Sequence, residues 1–419
     1  MTAVVPLPAR SDVAGLATMA VCSAASAAMS LAGIPGTPQL DAHRIAVAYS
    51  SERWIRIDGE PQRAFAPLSG WFATLDGTVR THANYPHHRD RLLRGLGLPA
   101  DGDPARVAET LAALPTAWAV AAIDAVGGLC VPVRPEDPTA DAALRRTPLV
   151  EVTRTGDAPR RPGPVPHAFS PLHGVRVLDL TRVIAGPIAT RTLALLGAEV
   201  LRLDPPALPE IAGQHLDTGH GKRSAQLDVA TPAGSARFEE LLASADIVAL
   251  GYRPDALARL GLTPAQLAER RPGVIVLSLS AWGDPHRRGF DSLVQAASGI
   301  GLIEGTAGGP GALPAQALDH SAGYVLAAAA LNLVARRARE GGSWLARTSL
   351  RRVAAELLGL PRTADVEPTP MVSDATGHTQ RFEVDGISVV TAAPAIRYPG
   401  GPVQFAPPRP WGQDEPAWA

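Results

Sequence analysis

The sequence predicts an α/β fold: a parallel sheet with helices on both faces, accompanied by a smaller region of mixed helices and short strands. Three observations predict it. From about residue 172, strand-like apolar runs alternate with helical spacing. Within that region, 174–206 (GVRVLDLTRVIAGPIATRTLALLGAEVLRLDPP) is by itself a strand, loop, helix, strand unit, the opening of a parallel crossover. A segment rich in proline and arginine, 153–171, separates this pattern from what precedes it.

The elements follow in order. VAGLATMAVCSAASAAMSLAG (13–33) reads as an alanine-rich helix packed closely against a neighbour. Its apolar run is diluted by Ser and Ala, and Asp12 stands beside Arg10, so it suits neither a signal peptide nor a membrane span. Mixed helices and short strands fill the rest of 1–152, and 153–171 has no period and reads as a linker. In 172–340, VRVLDL, IATRTLALLG, EVLRL, SARFEELLAS, ADIVAL, TPAQLAERR and VIVLSLS alternate strand with helix. The region 341–419 carries a helix in RTSLRRVAAELLGL, a strand pair around FEVDGISVVTA and a proline-rich tail. Residues 14–31 and 322–336 both open an alanine-rich helix with Ala-Gly, a faint internal repeat in which Ser11 falls where the second copy has Asp319.

Composition narrows the function. A length of 419 residues and 46% hydrophobic content suit a globular chain of two or three domains, and the net charge of −1 argues against nucleic acid as a partner. Cys22 and Cys130 form no CxxC or Cys/His cluster, which disfavours disulfide scaffolding and structural zinc and points to a cytoplasmic setting. The adjacent His87 and His88 point to different sides of a helix start and no metal is expected there; His82 and His87 are instead candidates to meet a carboxylate substrate. The loop TRVIAGP has neither GxGxxG nor GxxxxGK[ST], so neither NAD nor ATP is its natural ligand. Lys222 is the only lysine among 39 basic residues.

Six stretches then carry a resemblance: LDLTRVIAGPIATRTLALLGAEVLRLDPP, HGKRSAQLDV, ADIVALGYRPDALARLGL, RPGVIVLSLSAWG, GFDSLVQAASGI and ALDHSAGY. In order and spacing they are similar to the family III CoA-transferases, a group that includes formyl-CoA transferase, carnitine CoA-transferase and α-methylacyl-CoA racemase. The resemblance implies a Rossmann-like large domain that binds CoA, a smaller α+β domain, a C-terminal return segment and a homodimer. It implies acyl-CoA and carboxylic acid substrates, with CoA as carrier and no tightly bound cofactor, nucleic acid or membrane. The layout departs from the family's: WFATLDGTVRTHANYPHHRDRLLRGLG, GGLCVPVRPEDP and LVEVTRTGD resemble the smaller domain but stand at the N-terminus.

Moving CoA between acids without hydrolysis needs a carboxylate nucleophile that passes through a mixed anhydride and an enzyme thioester. Asp319 matches the family's catalytic aspartate, and at a helix start it equally suits a capping role. Arg182, Val183, Ile184 and Ala185 match a loop contacting pantetheine and diphosphate; Leu227, Asp228 and Val229 match positions lining adenine; Arg259 matches a basic residue near the phosphates. Lys222 and Arg223 are candidates to face phosphate or to anchor that loop. Tyr252 and Arg253 resemble a family turn in which Gly251 replaces asparagine. The resemblance gives the racemases a histidine where this chain has Phe290, which disfavours their proton transfer. Asp291 is a candidate to orient Asp319, and His320 reads as packing. Two alternatives to transfer stay open: an isomerase or dehydratase using Asp319 as base, and an acyl-CoA-binding paralogue without catalysis.

Overall fold

The structure, a computed structural model, describes residues 4–363 and 371–419. Residues 1–3 and 364–370, within the expected 1–152 and 341–419 regions, lie outside the described residues. Six parallel strands form the central sheet: Arg176–Leu180, Glu199–Asp204, Lys222–Gln226, Ile247–Leu250, Ile275–Ser280 and Ser343–Ser349. Across the sheet they lie third, second, first, fourth, fifth, sixth, the doubly wound order that creates a crevice beside the first strand. Arg176–Leu180, Glu199–Asp204, Ile247–Leu250 and Ile275–Ser280 are rich in Val, Ile and Leu because both faces are covered. Val177, Val200, Ile247 and Ile275 face one buried cluster, and Leu178, Leu201, Val248 and Val276 the other.

Two elements differ from the sequence reading. Thr153–Gly156, expected in the linker, belong to strand Glu151–Gly156, which pairs antiparallel with Ser343–Ser349. Its polar, largely exposed residues pair through the backbone, so no apolar alternation marks them. Arg347–Ser349, expected at the start of a helix, complete Ser343–Ser349, and the helix begins at Leu350 with Ser349 as its cap.

The long helix Ala317–Glu340 lies against this sheet and is buried along most of its length. It crosses helix Ala185–Leu195 closely, because at Gly323 a Cβ would come within 2.7 Å of the Ala185 carbonyl oxygen and of Ile188. Glycine at this point allows the approach, one turn beyond Asp319. The first helix, Val13–Ala32, packs its alanines into the same cluster as the long helix. Both are long and apolar enough by length and composition to cross a membrane, and the first is more apolar than the sequence reading made it. Each fully buried Leu or Val in such a cluster contributes roughly 1.5–3 kcal/mol.

Two smaller sheets flank the large one. Trp71–Thr74, Gly77–Thr81 and Cys130–Pro132 form an antiparallel unit with helices Pro86–Gly95, Pro104–Ala112 and Thr116–Ala125 over a core that includes Leu92, Leu111 and Ile123. The hairpin Thr379–Val384 and Ile387–Ala392 takes Arg56–Ile57 as its next strand, joining the two ends of the chain.

Candidate active site

In the large sheet the strand order reverses between Arg176–Leu180 and Ile247–Leu250, which are direct neighbours. Ligands of doubly wound sheets bind outside the carboxyl ends at such a point. The loops leaving these two ends contribute Arg182, Val183, Gly251, Tyr252 and Arg253 to a cavity of about 400 Å³, which Asp319 also lines.

Buried polar contacts fix the first loop. Lys222 Nζ donates to Asp179 Oδ2 (3.0 Å), the Pro187 carbonyl (3.0 Å) and Thr190 Oγ1 (2.7 Å). Asp179 Oδ1 accepts from the Thr181 N–H at 3.0 Å. Burial pushes the Lys222 amine down to about 8, while Asp179 favours its charged form. Val183 is left-handed at φ 71°, which a β-branched residue adopts at a cost. Its N–H donates to Glu210 Oε2 at 3.2 Å. Burial opposes ionisation of Glu210, but Arg202 and Arg182 outweigh it and hold the carboxyl down to about 2. On the second loop a Cβ at Gly251 would sit 3.1 Å from Thr181 Cβ, so glycine in place of asparagine matches tight packing between the two loops.

Asp319 occupies the first turn of the long helix but makes no capping bond; the N-cap residue is Gln316. Asp291 serves the helix start instead. Its Oδ2 accepts from the Asp319 N–H at 2.9 Å, the Leu318 backbone also donates to it, and the Gln295 side chain donates to Oδ1. Negative charge is favoured at that place by the free N–H groups. Burial lifts Asp319 well above the usual carboxylate range, and the Asp291 charge lifts it further. Burial also raises Asp291, to about 6, against its three donors. The two carboxyls therefore resist ionising together, and their titration belongs to the pair.

Asp319 lines two cavities. Besides the larger one it borders an inner chamber of about 90 Å³, and Val183 and Phe290 also line both. The larger cavity is rich in arginine: Arg91, Arg182, Arg253, Arg287 and Arg288 line it, against Asp284 and Asp319. Arg182 is partly engaged, bonded to the Pro209 carbonyl at 2.9 Å with Glu210 nearby and its guanidinium over the Tyr85 ring at 4.8 Å. Burial, then the charges of Arg253 and Arg91, push the Arg288 guanidinium down. Cations that repel one another around a concavity favour an anionic ligand, and guanidinium suits phosphate in particular.

The expected residues divide by position. Arg182, Val183, Ala185, Tyr252, Arg253 and Asp319 meet at the larger cavity, and Ile184 lines the inner chamber. Lys222, a candidate to face phosphate or to anchor the loop, is buried beneath the loop, bonded to Asp179, Pro187 and Thr190, and lines neither cavity. Arg223 faces the tail, donating to the Ala417 carbonyl at 2.7 Å. Leu227, Asp228 and Val229 follow the carboxyl end of the edge strand Lys222–Gln226, outside both cavities, and Leu227 and Val229 pack on the core. Arg259 is exposed on helix Pro254–Arg259 and lines neither cavity. His87 borders the larger cavity and His82 the inner chamber. His320 is buried against the Tyr49 ring at 5.1 Å. Sequence reasoning missed Arg91, Arg287 and Arg288. The last two stand directly before GFDSLVQAASGI, a signal that adjacency to a motif could have supplied.

A family model described as CoA-transferase family III matches residues 172–381. A probable fatty acyl-CoA transferase of Mycobacterium tuberculosis is 33% identical over 231 residues, covering 49% of this chain and 59% of that protein. The human succinyl-CoA:glutarate CoA-transferase is 32% identical over 195 residues, covering 42% of this chain and 44% of that one. A crystal structure of a hypothetical protein from Mycobacterium tuberculosis aligns with a TM-score of 0.42 at 34% identity, covering 45% of this chain and 58% of that chain. The chain spans about half the length of the curated relatives it matches.

Proposed function

We propose, from the premise that this chain belongs to CoA-transferase family III, that it is an enzyme moving CoA from an acyl-CoA to a free carboxylic acid through Asp319. The observation that carries the reading is the position of Asp319 between an arginine-lined cavity and a smaller inner chamber. The arginines suit the phosphates of CoA, and Asp319 stands where the thioester would end.

The chemistry follows from the carboxylate. An Asp319 oxygen attacks the thioester carbonyl carbon; the C–S bond breaks and leaves CoA thiolate and an acyl-aspartyl anhydride. The thiolate attacks the aspartyl carbonyl, the donor acid departs as carboxylate, and Asp319 becomes an aspartyl-CoA thioester. An acceptor carboxylate attacks that thioester and displaces thiolate to form a second anhydride. The thiolate then takes the new acyl group and returns Asp319 to carboxylate. The raised basicity of Asp319 strengthens it as a nucleophile once ionised. Backbone N–H groups at the start of helix Ala185–Leu195, where no side chain caps the helix, supply donors for the developing oxyanion. The resemblance to the family also supports a homodimer.

Trapping tests this. Incubation with acyl-CoA followed by hydroxylamine or borohydride is expected to modify Asp319 by mass, and Asp319→Ala to remove both the adduct and transfer. Full transfer by the variant would end the proposal. One observation favours α-proton exchange as a second reading: the buried His82 ring stacks on Phe290 at 3.8 Å and lines the same chamber as Asp319. Deuterium entering the acyl α-carbon without any acceptor acid would support it.

A further inference from the structure

The inner chamber has a chemistry of its own. Glu52 and Asp217 line it beside Asp291 and Asp319. Glu52 Oε2 and Asp217 Oδ1 are shut away from solvent, and neither has a hydrogen-bond donor among the described residues. The Asp217 side chain is buried; its Oδ2 accepts from Ser51 Oγ at 2.5 Å, while Arg191 stands 3.7 Å from Oδ1, beyond hydrogen-bond range. His82 adds an unpartnered Nε2, and burial, with His88 and Arg80 nearby, keeps its ring neutral. Arg63 is the one cationic side chain lining the chamber among the described residues, and it is exposed.

Buried acceptor oxygens without donors cost about 1–3 kcal/mol each, which a ligand supplying donors recovers. A hydrocarbon would leave them unmet. Burial raises the Glu52 carboxyl to about 7 and lifts Asp217 above its usual range, so it is above about pH 7, where Glu52 is ionised, that a second carboxylate would add repulsion. Size favours a small occupant too: the chamber, which opens past the exposed Arg63 and Ala64, offers about 90 Å³, against about 150 Å³ for a cavity that takes benzene. We infer that the inner chamber receives a short acyl group whose far end carries a hydrogen-bond donor, a hydroxyl or an ammonium, and that Glu52 and Asp217 select it. This rests on the transferase reading of Asp319, because it places the acyl carbon at the boundary of the two cavities. It disfavours the dicarboxylate that the name of the second relative above indicates for that protein.

The test is calorimetric binding to the full chain carrying Asp319→Asn, which cannot form the anhydride. The probes are CoA, propionyl-CoA, malonyl-CoA, 3-hydroxypropionyl-CoA and β-alanyl-CoA. The hydroxyl and ammonium acyl-CoAs are expected to bind about tenfold more tightly than propionyl-CoA and malonyl-CoA, the effect of one or two gained hydrogen bonds. Adding Glu52→Gln, which keeps the size and replaces an acceptor oxygen with a donor, is expected to abolish that preference. The Asp319→Asn chain answers the question alone if the second variant does not fold. Equal affinities, or a preference for propionyl-CoA or malonyl-CoA, would overturn the inference and leave the transferase reading standing. Failure to bind CoA itself would overturn both.

Discussion

Asp319 and Asp291 illustrate how far one position can be read from sequence. The motif ALDHSAGY drew attention to Asp319, but helix-start statistics favoured a cap. The structure leaves the N-cap position to Gln316, lets Asp291, twenty-eight residues earlier, accept from the helix-start N–H groups, and leaves Asp319 lining both cavities. No local pattern could reveal this, because the Asp291 contact is tertiary. The pair makes a kinetic prediction. Asp319 is inactive as a nucleophile when protonated, so transfer should rise with pH, with an acid limb above the ordinary aspartate range. Asp291→Asn removes the neighbouring negative charge while keeping an oxygen for the helix N–H groups. Ionisation of Asp319 then becomes easier, and the limb in kcat/KM should move to lower pH. A limb that stays in place would show that burial alone sets it.

At the scale of elements, the inner strands and their helices were legible because Arg176–Leu180, Glu199–Asp204, Ile247–Leu250 and Ile275–Ser280 are rich in Val, Ile and Leu and the turns are marked by Gly and Pro. Side-chain direction along one short strand was not. In Lys222–Gln226 successive residues point to opposite faces: Lys222 enters the interior beneath the first loop, while Arg223 meets the tail. Two adjacent cations in one motif therefore have different environments. The edge strand Glu151–Gly156 was illegible for a related reason, since its pairing is carried by backbone groups. Lys222 offers a direct test of its anchoring role. Lys222→Met strands Asp179 as a buried charge and should cost about 3–5 kcal/mol in urea unfolding. Adding Asp179→Leu removes the stranded charge and should recover most of that loss. If Lys222 touched phosphate instead, the double variant would regain stability yet bind CoA weakly; the buried geometry predicts near-normal CoA affinity in it.

The whole molecule ties its ends to the site. The hairpin near the C-terminus pairs with Arg56–Ile57, close in sequence to the Ser51 and Glu52 of the inner chamber. The last ten residues run along the exposed edge of the large sheet. There the Trp411 indole donates to Asp204 Oδ2 at 2.9 Å, the Gly412 N–H to Ser224 Oγ at 2.9 Å, and the Ser224 N–H to Asp414 Oδ2 at 2.8 Å. Trp418 closes the strap on the Leu241 carbonyl at 3.2 Å. An uncovered parallel edge offers unpaired backbone groups to another chain, so the strap protects strand Lys222–Gln226 from pairing between molecules. Ending the chain after Arg409 should lower the unfolding midpoint and, above all, produce aggregates by light scattering under conditions where the full chain stays monodisperse. The arginine-lined cavity opens at the carboxyl ends of more central strands, so the fraction that remains dispersed should bind CoA with little change. A truncated chain as stable and dispersed as the full one would mean that the edge is blunted by its own short length. Weakened CoA binding in the dispersed fraction would instead extend the site outward, past Leu227–Val229, to the tail itself.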